Sequence, residues 1–268
     1  MTDRYAVIGN PIEHSKSPRI HELFARQSGQ DMEYGRILGN PDDFAGDVRR
    51  FATAGGRGLN VTVPFKEQAY ALADSLSERA TRAGAVNTLL LDDGIAGDNT
   101  DGVGLVRDLG CNHSFNFAGR RILLLGAGGA SRGVLFPLLE ENPAGITIAN
   151  RTAGKAHDLA ALTDCEQVSG CGLDELGGRQ FDLVINGTAA GLSGQVPSIP
   201  DDCLAPGGWT YDMMYGSEPT AFVRWGREHG AGKALDGLGM LVEQAAESFR
   251  LWRGVMPDTE VVIHALRG

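Results

Sequence analysis

The chain has few cysteines and no pairing pattern among them. Four of its 268 residues are cysteines, and none forms a Cys-x-x-Cys pair or lies at zinc-ligand spacing from a histidine. We therefore expect neither a disulfide framework nor a metal site. Scattered thiols suit a reducing compartment, and we expect idle thiols at Cys111, Cys165, Cys171 and Cys203.

The chain also lacks an excess of positive charge and any long apolar run. Its 24 lysines and arginines face 34 aspartates and glutamates, which gives a formal net charge of −10. Such acidity disfavours broad binding to nucleic acid or to anionic membranes. No stretch approaches the roughly 20 apolar residues of a membrane helix, and the N-terminus shows no secretory signal. These features predict a soluble cytoplasmic protein without a membrane or nucleic-acid partner.

Short apolar strands instead alternate with longer helical patterns. The predicted strands are Tyr5–Ile8, Gly58–Val63, Ala85–Leu91, Arg121–Leu125, Gly145–Ala149, Phe181–Asn186, Trp209–Met213 and Lys233–Leu235. The predicted helices include Arg19–Ser28, Pro41–Thr53, Gly102–Leu109, Ala130–Glu141, Ala153–Leu162, Glu218–His229, Met240–Arg253 and Asp258–Leu266. This alternation is typical of α/β proteins with parallel sheets. A polar stretch at 111–119 and the glycine-rich Asp236–Gly239 are expected boundaries.

A glycine loop follows the most apolar strand. Residues 122–133 read Ile-Leu-Leu-Leu-Gly-Ala-Gly-Gly-Ala-Ser-Arg-Gly, a strand, a turn and the start of a helix. Gly126 permits a tight turn, and Gly128 and Gly129 let the backbone approach a diphosphate at the helix N-terminus. Ser131 replaces the third glycine of G-x-G-x-x-G, so the loop alone also fits a plain strand–helix turn.

The end of the next strand indicates which dinucleotide is bound. An acidic residue there usually accepts a hydrogen bond from the ribose 2′-hydroxyl of NAD. This chain has Asn150-Arg151-Thr152 at that position, with Lys155 one turn later. A guanidinium suits a 2′-phosphate, so the sequence predicts NADP as the cofactor.

The N-terminal third carries polar side chains beside glycine and proline. Ser15 and Ser17 could present hydroxyls to a carboxylate, although Ser17 before Pro18 also fits a helix N-cap. Thr62 and Lys66 lie at and beyond a predicted strand end, where open sheets bind ligands. Asn87 is a polar residue within an apolar run.

Asp101 follows in the next polar segment. It precedes a predicted helix, so its carboxylate could serve merely as an N-cap. A lone lysine such as Lys66 is likewise most often a solvated surface charge. Each feature taken singly therefore leaves a structural alternative open.

Together these segments resemble the shikimate dehydrogenase family, in order and in residue type, over essentially the whole chain. The matching motifs are H-S-K-S-P (14–18), N-V-T-V-P-F-K (60–66), G-A-V-N-T (84–88), G-D-N-T-D-G (97–102), G-A-G-G-A-S-R (126–132), N-R-T (150–152), Y-D-M-x-Y (211–215) and D-G-L-G-M-L-V-x-Q (236–244). The resemblance implies an α/β fold of two domains with a cleft between them. Residues 1–110, completed by C-terminal helices 238–268, would bind shikimate. Residues 111–237 would form a Rossmann-type doubly wound parallel sheet for NADP.

The resemblance also implies an activity and a set of site residues. The activity is the interconversion of 3-dehydroshikimate and NADPH with shikimate and NADP, in aromatic amino-acid biosynthesis. The catalytic pair would be Lys66 and Asp101. The substrate would also contact Ser15, Ser17, Thr62, Asn87, Tyr215 and Gln244. The cofactor would contact Gly126, Ala127, Gly128, Gly129, Ala130, Ser131, Asn150, Arg151, Thr152, Lys155, Met213, Gly237 and Glu78.

One segment departs from the family pattern, and some alternatives remain. Ala189 and Ala190 stand where relatives often carry serines, which puts cofactor contacts there in doubt. Lys66 could donate the proton or stabilise the negative charge on the oxygen. The alternatives are a quinate/shikimate dehydrogenase that uses NAD as well, a non-catalytic shikimate-binding sensor, and another two-domain dehydrogenase, such as one acting on a folate. A homodimer is an option that the sequence leaves open.

Overall fold

The structure is a computed structural model that describes residues 2–188, 190 and 194–268. The chain forms two compact units, one of residues up to Gly104 together with Leu241–Gly268, and one of Leu105–Met240. Within the described residues, no helix is long and apolar enough to cross a membrane. The same residues contain no cluster of three or more histidines, cysteines, aspartates and glutamates that could hold a metal ion.

The first unit is built around a six-stranded sheet covered by helices. Its elements are β1 (Asp3–Gly9), α1 (Ser17–Ser28), β2 (Met32–Leu38), α2 (Phe44–Thr53), β3 (Gly56–Val61), α3 (Lys66–Leu72), β4 (Ser75–Leu76), α4 (Glu78–Ala83), β5 (Thr88–Leu90), β6 (Ala96–Asp98) and the start of α5 (Asp101–Arg107). The last helices of the chain, α9 (Leu238–Arg253) and α10 (Thr259–Arg267), supply its C-terminal part.

This first sheet is mixed, which corrects the prediction of parallel sheets only. Its strand order is β2-β1-β3-β5-β6-β4. Strands β1, β2 and β3 are parallel, whereas β5 runs antiparallel to both β3 and β6. As a result β5 begins, and β6 ends, at the edge where β3 ends. The loops at these strand ends carry most of the predicted substrate residues.

Helix α9 has one apolar and one polar face. Val242, Ala245, Ala246 and Phe249, spaced as on one side of a helix, pack with Ile20 and Phe24 of α1 in a buried cluster. Gln244, Glu247 and Ser248 lie at the intervening positions and make side-chain hydrogen bonds to other parts of this unit. Packing of the apolar face therefore fixes where the polar residues sit.

The second unit contains a six-stranded parallel sheet. Its elements are β7 (Arg121–Leu125), α6 (Gly129–Glu140), β8 (Gly145–Asn150), α7 (Ala153–Ala161), β9 (Val168–Gly172), β10 (Phe181–Asn186), β11 (Leu204–Asp212), α8 (Ala221–Glu228) and β12 (Lys233–Leu235). The strand order is β12-β11-β10-β7-β8-β9, and each pairing is parallel. Counted from β7, this is the doubly wound order 6-5-4-1-2-3 of dinucleotide-binding folds.

Strand β7 is buried on both faces. Ile122 and Leu124 belong to the cluster on one side of the sheet, and Leu123 and Leu125 to the cluster on the other. All four side chains are fully buried. This explains why the sequence shows a continuous apolar run instead of an alternation.

The sequence missed several short elements and misplaced some ends. Strand β2 was missed because Glu33, Gly35 and Arg36 give this sheet-edge strand a polar pattern. The strand predicted at Gly58–Val63 is shifted by two residues and spans Gly56–Val61. Helix α5 ends at Arg107 and continues as a π-helical turn, Asp108–Asn112. Helices α3 and α4, strands β4, β6 and β9, and the 3-10 turn Leu173–Glu175 were also not predicted.

His21 is a fully buried histidine within the aromatic core of the first unit. Its ring stacks on Tyr34, with the ring centroids 4.1 Å apart and an angle of 7° between the planes. It also contacts Phe24 edge-on and lies close to Trp252. Burial lowers the pKa of His21 to about 3, from an ordinary value of 6.5, so the ring is neutral in the folded protein at neutral pH.

This neutral histidine should make the fold sensitive to acid. Because the folded pKa is below the unfolded one, its stabilising effect is complete above pH 6.5 and is lost as the pH falls towards 3. At pH 5 the loss is about 2 kcal/mol. We therefore expect the loss of unfolding free energy between pH 7 and pH 5 to be smaller by about that amount in His21→Phe. Urea unfolding at both pH values measures it, and equal losses in both proteins would refute the assignment.

Candidate active site

Most of the predicted substrate residues of the first unit lie in, or directly after, the loops at one edge of its sheet, and Gln244 lies on α9. The backbone N–H of Asn10, after β1, donates to the carbonyl of Val63, after β3, at 3.0 Å. The backbone N–H of Val86, just before β5, donates to the carbonyl of Lys66 at 2.9 Å. Phe65 is fully buried and stacks on Phe44, which anchors the start of α3. These contacts hold Lys66 beside the loops around β5 and β6.

Lys66 and Asp101 form an ion pair. The Lys66 Nζ lies 2.5 Å from Asp101 Oδ2, and the two side chains are 22% and 9% exposed. At this burial the charges are only partly screened by water. The structure therefore excludes the solvated-lysine alternative. The Asp101 carboxylate accepts hydrogen bonds from the side chains of Lys66 and Asn87. It therefore does not serve as an N-cap of α5.

The buried amide of Asn87 joins this pair to the rest of the site. Its Nδ2 donates to Asp101 Oδ1 at 2.9 Å and to Thr100 Oγ1 at 3.0 Å. Its Oδ1 accepts from the backbone N–H of Thr100 at 2.9 Å. Gln244 Oε1 is 3.4 Å from Asn87 Nδ2. Lys66, Asp101, Asn87 and Gln244, predicted separately, thus form one hydrogen-bonded group.

Ser15 and Thr62 lie in the loops after β1 and β3, and Ser17 begins the helix that follows the first of these loops. Ser17 is the first residue of α1, and the residue at the N-cap position, Lys16, makes no side-chain cap hydrogen bond. The alternative that Ser17 serves as an N-cap is therefore wrong. The Ser15 hydroxyl accepts from the backbone N–H of Ser17 at 3.3 Å. The Thr62 backbone N–H donates to the carbonyl of Ile8 at 3.0 Å.

The glycine loop of the second unit lies at the switch point of its sheet, between β7 and β10. Gly126 has φ = 98°, which favours glycine. A Cβ there would be 3.1 Å from Thr188 and 3.2 Å from the Gly187 backbone, after β10. At Gly128 and Gly129 a Cβ would meet no atom within 4 Å. Gly128 stands at the N-cap of α6, with no side-chain cap.

This loop therefore offers open space directly before the N-terminus of a 12-residue helix. The exposed backbone there fits the diphosphate of a dinucleotide. Ala127 and Ala130 complete the loop. Ser131 differs from its neighbours: it is fully buried, its hydroxyl has no hydrogen-bond partner among the described residues, and it faces Gly187, where a Cβ would lie 2.6 Å from Ser131 Oγ. Ser131 thus occupies the packing position of the third glycine, against a partner that is itself glycine.

The end of β8 presents positive charge and no carboxylate. Arg151, Thr152 and Lys155 are exposed, and Asn150 Nδ2 donates to the carbonyl of Thr152 at 2.9 Å. A Cβ at Gly154 would also meet no atom within 4 Å. The residues present therefore fit a 2′-phosphate better than a free ribose hydroxyl.

The remaining predicted residues lie in different surroundings. Met213 follows β11, and a Cβ at Gly237 would come within 2.3 Å of the Met213 carbonyl. Burial raises the pKa of Tyr215, which belongs to the second unit. Glu78 is 77% exposed and pairs with Arg82 on α4. Ala189 lies outside the described residues.

Sequence reasoning missed the buried polar residues behind the site. In the first unit these are Asn60, Thr88, Thr100 and Ser248, with the half-buried Tyr34 bonded to Asn60. Two features of the sequence could have indicated them: Asn60 is a polar residue in an apolar strand, and Ser248 follows Gln244 by four residues on the same helix face. In the second unit the buried Asp212 carboxylate binds Asn186 Nδ2 at 3.1 Å and the Thr220 hydroxyl at 2.6 Å, and burial raises its pKa.

Three regions of the chain match family descriptions. Residues 7–89 match the shikimate dehydrogenase substrate binding domain, residues 110–193 match shikimate / quinate 5-dehydrogenase, and residues 237–267 match the shikimate 5'-dehydrogenase C-terminal domain. These regions cover most of the chain and include Lys66, Asn87, the glycine loop and Arg151, whereas Asp101 lies between two of them.

Full-length relatives show the same similarity. The shikimate dehydrogenase (NADP(+)) of Alkalilimnicola ehrlichii is 60% identical over 100% of this chain and 99% of its own. The crystal structure of an Ael1 enzyme from Pseudomonas putida is 48% identical, with a TM-score of 0.93 and 98% of each chain covered. Shikimate 5-dehydrogenase from Thermus thermophilus, in complex with NADP(H) and shikimate, is 32% identical, with a TM-score of 0.88 over 99% of this chain and 98% of that one.

Two glycine substitutions should separate ligand binding from folding. Gly128→Ala places a methyl group in open space, so it should leave the unfolding temperature unchanged but weaken NADP binding at least about tenfold by blocking close approach. Gly126→Ala forces alanine to φ = 98° and should cost about 1–3 kcal/mol of stability. Calorimetric titration and thermal unfolding measure these effects. Unchanged NADP affinity in Gly128→Ala would contradict the loop assignment.

Proposed function

This chain belongs to the shikimate dehydrogenase family, and we propose which of its side chains carry out the NADP-dependent reaction. The chain is an oxidoreductase that interconverts shikimate and NADP with 3-dehydroshikimate and NADPH, in the pathway to the aromatic amino acids. The observation that carries the proposal is the Lys66–Asp101 ion pair, held by Asn87 among the residues that resemble the family's substrate site.

We assign the substrate to the first unit and the cofactor to the second. The predicted functional domains are residues 1–110 with helices 238–268, and residues 111–237, and these bounds differ by a few residues from those of the two compact units. The hydroxyls of Ser15 and Ser17 lie at the start of α1 and are assigned to the substrate carboxylate. Thr62, Asn87 and Gln244 are assigned to the carboxylate or the ring hydroxyls. A substrate contact for Tyr215 and a cofactor contact for Glu78 stay predictions.

The second unit is assigned to NADP by two features. The open backbone at Gly128 and Gly129, before α6, would hold the diphosphate. Arg151 and Lys155 would pair with the 2′-phosphate, with Asn150 and Thr152 beside them. Met213 and Gly237 are assigned to the nicotinamide side. The bound cofactor supplies or accepts a hydride. A side chain of the protein must therefore donate or accept the accompanying proton.

Lys66 is the group assigned to that proton. In ketone reduction, negative charge develops on the oxygen that becomes the hydroxyl. Lys66 Nζ provides both a positive charge and a transferable proton there. Asp101 orients the ammonium through Oδ2, while Asn87 holds Oδ1. In shikimate oxidation the same proton moves back towards Lys66.

A cytoplasmic location and a homodimer complete the proposal. The four cysteines are all free, as suits a reducing compartment. Light scattering of the purified protein tests assembly: a mass of about twice 28.4 kDa supports a dimer, and 28.4 kDa a monomer.

Substitutions of Lys66 should separate its two candidate roles. Lys66→Met should lower kcat by about 10²–10⁴-fold, with a smaller change in KM for shikimate. Lys66→Arg keeps the charge but cannot release a proton near neutral pH. If Lys66 transfers the proton, the arginine variant should be about as slow as the methionine variant; if it acts by charge, arginine should restore much of the rate. Near-normal kcat in Lys66→Met would remove Lys66 from the mechanism.

Arg151 should decide the choice between NADP and NAD. A charge-assisted contact is worth roughly 1.5–3 kcal/mol, which is about 10- to 150-fold in affinity. Arg151→Ala should therefore lower kcat/KM for NADP by about that factor and leave kcat/KM for NAD nearly unchanged. Lys233→Ala, which removes a cation that packs on Trp209, is the matched control. Equal losses with both cofactors would show that Arg151 does not bind the phosphate.

A further inference from the structure

A chain of hydrogen bonds, buried in its central links and partly buried at both ends, runs from Tyr34 to the ion pair. Its links are Tyr34 hydroxyl to Asn60 Oδ1 (2.7 Å), Asn60 Nδ2 to Ser248 Oγ (2.9 Å), Ser248 Oγ to Thr88 Oγ1 (2.8 Å), Thr88 Oγ1 to Asn87 Oδ1 (2.9 Å), Asn87 Nδ2 to Asp101 Oδ1 (2.9 Å) and Lys66 Nζ to Asp101 Oδ2 (2.5 Å). It draws on β2, β3, β5 and α9 of the first unit. Asn87 and Thr88 are neighbours in sequence and Asn60 precedes Lys66 by six residues, whereas Tyr34 and Ser248 come from distant parts of the chain.

The directions of most hydrogen bonds in this chain are determined by their neighbours, whereas the Ser248 hydroxyl lies within reach of two acceptors, Thr88 Oγ1 at 2.8 Å and the Gln244 carbonyl at 3.1 Å. The backbone N–H of Thr100 can only donate, so the Asn87 atom that it contacts at 2.9 Å is the oxygen. Thr88 donates to this oxygen, so in its 2.8 Å contact with Ser248 it must accept. Ser248 in turn accepts from Asn60 Nδ2.

The far end of the chain agrees with this direction. Asn60 presents Nδ2 to Ser248, so its Oδ1 is free to accept the Tyr34 hydroxyl proton. Burial raises the pKa of Tyr34 well above 10, so that proton is retained. The neutral His21 ring stacked on Tyr34 keeps this end uncharged. In the links from Tyr34 to Asn60, from Asn60 to Ser248, from Thr88 to Asn87 and from Asn87 to Asp101, the donor therefore points towards Asp101.

This chain of hydrogen bonds controls the orientation of the Asn87 amide. With Oδ1 held by Thr88 and Thr100, Nδ2 faces the Asp101 carboxylate. A reversed amide would place an oxygen against that carboxylate, which would repel Asp101 from its position under Lys66. Because hydrogen bonds in buried networks are mutually dependent, loss of one link weakens the others.

We propose that Thr88, supported by Ser248 and Tyr34, is a positioning residue for the reaction, which acts by fixing the Asn87 amide and through it the Lys66–Asp101 pair. The inference rests on the proposed function of that pair. Thr88 and Ser248 are fully buried, so they act through Asn87 and not by touching the substrate. They belong to neither the predicted catalytic pair nor the predicted substrate set.

The decisive comparison is Thr88→Val against Thr88→Ser. Valine keeps the shape of threonine but removes the hydroxyl, whereas serine keeps the hydroxyl. Thr88→Val should lower kcat for shikimate oxidation about tenfold, the scale of one buried hydrogen bond to a catalytic group. KM for NADP should be unchanged, and Thr88→Ser should restore kcat to within about threefold of the wild type. Thr81→Val makes the same change at an exposed position of α4 and controls for the substitution itself.

The outcomes separate positioning from packing. Normal kcat in Thr88→Val, or equal loss of kcat in the valine and serine variants, would overturn the proposal. If Thr88→Val does not fold, Ser248→Ala takes its place and must lower kcat without changing KM for NADP. Lys66→Met is assayed in parallel. Loss of rate in Lys66→Met with full rate in Thr88→Val rejects the positioning chain alone, whereas full rate in Lys66→Met rejects the proposed function.

Discussion

The buried amide of Asn87 is the constraint on which the substrate side of this molecule depends. A side-chain amide that is nearly removed from water must have its donors and acceptor satisfied, since an unpaired polar group costs about 1–3 kcal/mol. Here Thr88 and Thr100 satisfy the oxygen, and Asp101 and Thr100 the nitrogen. Meeting that requirement orients Asp101, and Asp101 orients Lys66. Stability and chemistry therefore depend on the same few hydrogen bonds.

In the second unit the proposed cofactor site is formed by backbone geometry. Its parallel sheet changes winding direction between β7 and β10, and the Gly126 turn lies at that switch point. The turn leaves open space ahead of α6 instead of a side-chain cap. Charge then selects the cofactor, because Arg151 stands where an acid would favour NAD. The same residue argues against the NAD-dependent alternative, and the intact Lys66–Asp101 pair argues against a non-catalytic sensor.

The sequence predicted the α/β class and many elements because apolar periodicity is strong in strands such as β7. It missed β2, whose edge position tolerates Glu33 and Arg36, and the antiparallel direction of β5, which depends on pairing between distant segments. At the site, Lys66, Asn87 and Asp101 were found through motifs. Tyr34 and Ser248 were not, since only the fold brings them within reach of Asn60. The packing role of Ser131 likewise depends on Gly187, 56 positions away.

One assay tests the account most directly: NADPH or NADH formation by the purified protein, with shikimate or quinate and with NADP or NAD. The Lys66–Asp101 pair and Arg151 together predict that kcat/KM is highest for shikimate with NADP. Replacing NADP by NAD should lower it by about 10- to 150-fold, the value of one charge-assisted phosphate contact. Equal or faster turnover with NAD or with quinate, or no turnover of shikimate, would contradict it.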